Sequence, residues 1–253
     1  MATGFARLAL LGVALVGLLG GCGGGGGSDS TVSPLAGVWT GTLADASGTN
    51  MTLETEHVAT GAAIRGNARM VAGDGSIHHG ALSGTETTAG MDWTVDFKGS
   101  VGIVDFKGTR NGRNMTLTYA RRATPGASGT GALNLTQAGG IDLRGTYNVD
   151  WIANNQAGSF QFTVVNDAGV NTVPYQEVQL VNALMAFNGS CIGSTISVAA
   201  TVFAGVPGNT FTQITMHFGG AAAGSSGLVT GTQTVQTTAT QILGQYKLTK
   251  VSG

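Results

Sequence analysis

The sequence predicts an all-β protein built of antiparallel up-and-down β-barrels, in two tandem units. Three observations carry that expectation. Glycine supplies 43 of 253 residues, more than twice its usual share of about 7%. Charged residues make up only 10%, against about 25% in ordinary soluble domains. Apolar and polar residues alternate with a period of two, which sends one side of a strand into a core and the other into water. With 42% hydrophobic residues the chain can build a core, which separates it from disordered and collagen-like sequences. A net charge of −1 gives no basic footprint for nucleic acid.

The first segment concerns export, not the fold. Residues 1–21 place Arg7 ahead of an apolar run from Leu8 to Leu19. That run is shorter than the roughly 20 residues a spanning helix needs, and it suits the core of a signal peptide. It ends in Leu19-Gly20-Gly21-Cys22, which resembles the lipobox of bacterial lipoproteins. The resemblance implies cleavage before Cys22, lipidation of Cys22, and anchoring in the bacterial cell envelope. Gly23 instead of Asp at the second mature position favours the outer membrane. One acyl chain holds a protein only marginally, so the several chains of a lipoprotein are what make the anchor stable. Residues 22–34, with their run Gly23–Gly27, form a flexible tether behind that lipidated cysteine.

The first barrel unit is expected over 35–138. Met115, Leu117 and Tyr119 alternate with threonines, and Trp93, Val95 and Phe97 alternate with polar residues. Turn signals divide this region into strands near 37–44, 51–58, 62–71, 76–86, 91–98, 101–110, 113–121 and 130–137. Asn111-Gly112 is read as a hairpin turn, since both residues tolerate positive φ. Eight short strands joined by tight turns suit a small barrel. Trp39, Trp93, Phe97, Phe106 and Tyr119 are the inward aromatic positions that would line a ligand cavity.

A second unit, 140–253, is expected from repetition. The opening Gly37-Val38-Trp39-Thr40-Gly41 returns as Gly145-Thr146-Tyr147-Asn148-Val149. The closing segment Gly131–Gln137 returns as Gly244–Lys250, and Ala138-Gly139-Gly140 reads as the joint. From Val178 through Tyr246 there is no Asp, Glu, Lys or Arg. Water-facing positions there are Thr, Gln, Asn and Ser. Pro174–Phe187 fits a strand, or a short helix over a barrel mouth with Val178, Val181, Leu184 and Met185 on one face. The periodicity leaves both open.

Gly37-Val38-Trp39 resembles the Gly-x-Trp opening of the calycin-like barrels, the lipocalins and avidins. In lipocalins this Trp packs against an Arg of the last strand, and Gly131–Gln137 contains no Arg. The resemblance implies a barrel architecture. It carries over no ligand residue.

Chemical motifs are sparse. Gly189-Ser190-Cys191-Ile192-Gly193 has the spacing of a nucleophile elbow, yet the residues after it are β-branched and alternating where an elbow needs a helix. Cys191 therefore reads as a buried inert thiol. His78 and His79 are adjacent on a strand and point to opposite faces, so they cannot chelate one ion together. Asp92, Asp96 and Asp105 alternate with Lys98 and Lys107 as cross-strand pairs on a solvated face. No catalytic or metal-binding set and no cofactor site is expected. The leading functional expectation is a membrane-anchored, non-catalytic envelope module that binds a small or apolar ligand. The alternative is a structural lipoprotein that meets an envelope polymer or other copies through its uncharged Thr/Gln/Asn face. A hydrolase using Cys191 has the least support.

Overall fold

A computed structural model describes residues 36–45, 48–87, 90–98, 101–123, 126–137, 142–153, 155–167, 169–180, 183–206, 210–221, 226–235 and 238–252. The signal segment, Cys22, the tether and the joint Ala138–Gly140 lie outside the described residues.

The strands form two closed antiparallel barrels. The first is made by β1 (Gly37–Asp45), β2 (Asn50–Thr60), β3 (Ala63–Val71), β4 (Ile77–Thr87), β5 (Gly90–Asp96), β6 (Ile103–Asn111), β7 (Asn114–Arg121) and β8 (Ser128–Gln137). Each strand pairs with the next, and β1 closes the ring on β8. The second runs through β9 (Gly145–Ala153), β10 (Gln156–Asp167), β11 (Val170–Leu180), β12 (Ala183–Ile192), β13 (Thr195–Val206), β14 (Thr210–Ala221), β15 (Ser226–Val235) and β16 (Thr238–Ser252). Here β16 closes on β9.

Tight loops set the registers. Three hairpins, β2–β3, β6–β7 and β12–β13, are joined by two-residue loops whose first residue is glycine at positive φ: Gly61, Gly112 and Gly193. Glycine in that place is the requirement of a hairpin turn matched to strand twist. The β6–β7 loop is thus Gly112-Arg113, one residue later than the Asn-Gly reading. Asn111 stays in the ladder, opposite Asn114.

Of Pro174–Phe187, open between helix and strand in the sequence, Pro174–Leu180 lies on β11 and Ala183–Phe187 on β12, while Val181 and Asn182 lie outside the described residues. Its proline sits where the β11–β12 register shifts, between Val173 and Gln176. Proline has no N–H to give the ladder, so an irregularity is where a strand tolerates it. β11 meets β10 only through Val170–Thr172, and this is the thinnest seam of either barrel.

Both interiors are apolar and well filled. In the first barrel Trp93, Phe106 and Tyr119 stand in register across β5, β6 and β7. Gly84 on β4 and Gly129 on β8 end that row. A Cβ on Gly84 would fall 2.2 Å from the Asp92 carbonyl oxygen, so the bare backbone makes room for the tryptophan beside it. Trp39 stacks on His57 at 6.5 Å, and His57 meets the Trp93 ring edge-on at 4.8 Å. The imidazole of β2 thus lies beside the Gly-x-Trp tryptophan. In the second barrel Phe160, Phe218 and Tyr246 make successive edge-to-face contacts at 5.3 and 5.7 Å.

The barrels also pack on each other. Outward faces of β2, β3 and β4 meet β11, β12 and β13. The residues that hydrogen-bond across this seam are polar, because strand alternation sends most apolar side chains inward.

Candidate functional site

The five aromatic positions expected to line a cavity all point into the first barrel. Trp39, Trp93, Phe97, Phe106 and Tyr119 are buried in one cluster with the leucines and methionines of the same strands. Phe106 and Tyr119 have ring centroids 6.2 Å apart. Around them the Thr55 hydroxyl and the Trp93 indole N–H are buried with no hydrogen-bond partner among the described residues.

The second barrel offers a different feature. Val149, Phe162, Ile196, Val198, Phe218, Tyr246 and Leu248 border, with Gly219, an apolar packing gap of about 180 Å³ that is partly open to solvent and nowhere wide enough for a water molecule. Gly219 is the exposed residue of the set, and its carbonyl accepts a hydrogen bond from the Tyr246 hydroxyl. That bond holds the tyrosine ring across the space. Sequence reading put the ligand aromatics in the first unit and missed this set, although its inward positions alternate legibly along β10, β13, β14 and β16.

The seam between the barrels is the third feature. Asn67 on β3 donates through its amide to the carbonyls of Asn171 and Cys191, the latter at 3.3 Å. Glu56 on β2 accepts the backbone N–H of Gly193 at the β12–β13 turn. His79 Nδ1 lies 3.0 Å from the Ser190 hydroxyl, and the Asn188 amide donates to the His79 carbonyl. Arg65 and Asp167 pair at 3.5 Å on the open rim. Burial pushes the His79 imidazole down to about 3, with His217, Arg69 and His78 adding to the effect. His217 on β14 is held down to about 4, again by burial first.

Cys191 points into the second barrel and is wholly buried. Burial, reinforced by the Glu56 charge, pushes its thiol up to about 12. β12 ends at Ile192 and turns directly into β13, so no helix presents this sulfur. His78 and His79 do point apart: His78 meets the Ser76 hydroxyl at 2.9 Å, while His79 faces the seam. The acidic residues form exposed pairs, Asp92 with Lys107 at 3.4 Å, Asp96 with Lys98, and Asp105 with Arg122 at 2.6 Å.

The polarity of the barrels defines their class. A membrane-spanning barrel carries an apolar band outside and a polar lumen. Here Phe162, Val198 and Phe218 point inward, and Gln161, Ser159 and Gln213 point out. These are barrels with apolar interiors, an all-β body of two antiparallel units. No protein-family model and no curated protein matches the chain. Among solved structures, one match is a Bacteroides fragilis protein of provisional outer-membrane assignment. It is 11% identical, with 85% of this chain and 98% of that one covered, at a TM-score of 0.24. Another is kievitone hydratase from Nectria haematococca, 7% identical, with 88% and 91% covered, also at 0.24. Likeness at that level carries no argument about this chain.

Proposed function

We propose that this chain is a lipid-anchored envelope protein whose second barrel binds a small apolar ligand without catalysis. The observation that carries the reading is the apolar packing gap beside Phe162, Phe218 and Tyr246, too narrow for water while Tyr246 lies across it and widened when that ring turns out. Such pockets bind mainly by burying apolar surface, with a few polar groups fixing orientation. The hydroxyl of Tyr246, released from the Gly219 carbonyl, supplies one such group. A ligand enters by turning that ring outward. The address comes from the Leu19–Cys22 box, and the non-catalytic reading is supported by a thiol that burial keeps protonated. A fluorescent apolar reporter tests this. It binds the intact protein and loses affinity at least tenfold in Val198→Phe, whose larger ring takes the volume that Tyr246 would vacate. Equal binding by the two proteins refutes the site.

A second reading has its own observation. Ile152 and Leu243, 55% and 58% exposed, sit on the neighbouring strands β9 and β16, on an outer face whose charges there are the opposed Asp150 and Lys247. That face suits association with an envelope polymer or another copy, since few ions must be desolvated. Sedimentation of the intact protein with and without Leu243→Lys separates the two readings.

A further inference from the structure

His79 lies buried where the barrels meet, and His217 of β14, half-buried beside β13, lies close enough to feel the charges of Arg69 and His78 of the first barrel. His79 of β4 is 2% exposed. One ring nitrogen meets Ser190, and the other, Nε2, is buried with no hydrogen-bond partner. His217 of β14 likewise has a buried Nδ1 with none. The groups facing them offer protons no welcome. Arg69 of β3 sits opposite His79 in the strand register, and its charge disfavours protonation of both rings. Its own carboxylate partner is Glu54 of β2, at 2.8 Å. Glu56 of β2 is already engaged by the Gly193 N–H. His78, on β4 itself, adds like charge whenever it is protonated. From the second barrel, β12 presents the uncharged Asn188 and Ser190 to His79.

We propose that the seam is a proton-operated latch: proton uptake by His79 and His217 parts the two barrels while each stays folded. Closure of each barrel depends on its own ladders, and none of the seam hydrogen bonds belongs to them. Parting gives both rings to water and restores the ordinary histidine value of about 6.5. The docked values are about 3 and about 4. Both are depressed by docking, so the contribution is complete above about pH 6.5 and is lost as pH falls toward them. At pH 5 each ring disfavours the docked state by about 30-fold, and the two together by about 1,000-fold.

Native-state hydrogen exchange on the full mature chain reads this directly. The Gly193 amide is bonded across the seam to Glu56, so its protection reports docking. Between pH 7.5 and 5.0 its protection, corrected for intrinsic rate, falls by about 1,000-fold. Ladder amides inside the barrels, such as Leu117 and Phe162, change less than about threefold. In His79→Gln/His217→Gln the fall at Gly193 is lost. Constant protection of Gly193 in the wild type, an equal fall at all amides, or an unchanged fall in the variant each overturns the proposal. Should the double variant not fold, imidazole NMR of the wild type decides. Both rings stay neutral at pH 5 in the docked form, and an ordinary midpoint for either one there overturns the latch.

Discussion

Truncating Trp93 distinguishes a filled first barrel from a hollow one. The side chain is wholly buried, edge-on to His57 at 4.8 Å and in register between Gly84 and Phe106. Its neighbours cannot collapse into the space, because the β4 and β5 backbones already touch at Gly84, where a Cβ would lie 2.8 Å from the Trp93 Cα. Burying an indole removes roughly 200 Å² from water, a ceiling of about 5 kcal/mol at 25 cal/mol/Å². Trp→Ala substitutions in packed cores cost about 3–5 kcal/mol. Trp93→Ala should therefore destabilise the first barrel by about 4 kcal/mol. At roughly 4–8 °C per kcal/mol for a unit of this size, its thermal midpoint drops by about 15–30 °C. Calorimetry of both proteins measures this, and added indole should recover part of the loss by refilling an apolar cavity. A tryptophan that merely lined an open chamber would forfeit far fewer contacts. A loss below about 1 kcal/mol with no effect of indole refutes the filled-barrel account.

The remaining predictions concern the anchor, the thiol and the unit boundary. Cys22→Ser should no longer partition into detergent, and persistent membrane association of that variant contradicts the lipoprotein reading. Cys191 should ignore a disulfide reagent in the native state and react fully on unfolding. Its thiol is raised by burial to about 12, so stability is complete below its ordinary value near 9 and falls as pH rises above that. Urea midpoints at pH 8 and pH 10 in wild type and Cys191→Ala isolate that contribution. The excised fragment 35–138 should fold alone with a β-type circular dichroism spectrum, since all eight strands and their closure lie within it. Random-coil ellipticity with rapid proteolysis would instead make the two units a single folding body.

The first barrel was nearly legible in the sequence. Period-two alternation placed Met115, Leu117 and Tyr119 inward, and Gly/Asn turn signals bounded the strands within about two residues. The Asn111-Gly112 turn slipped by one because both residues permit positive φ, and only the ladder partner Asn114 decides between them. Pro174–Phe187 was ambiguous because its apolar spacing satisfies a helix as well as a strand. The seam was illegible for a deeper reason. Glu56, Asn67, His79 and Ser190 occupy outward positions with the composition of a wetted strand face. Nothing local to a strand says which outward face a second barrel will cover. The same blindness hid the role of His79, which looks like a solvent histidine until Ser190 arrives from a strand 111 residues away.

Native mass spectrometry of the protein purified from its own host tests the binding account most directly. The account predicts a lipidated chain carrying a stoichiometric apolar molecule that is released on unfolding and is missing from Val198→Phe. A clean apo mass under gentle ionisation, or the same adduct retained by Val198→Phe, contradicts it.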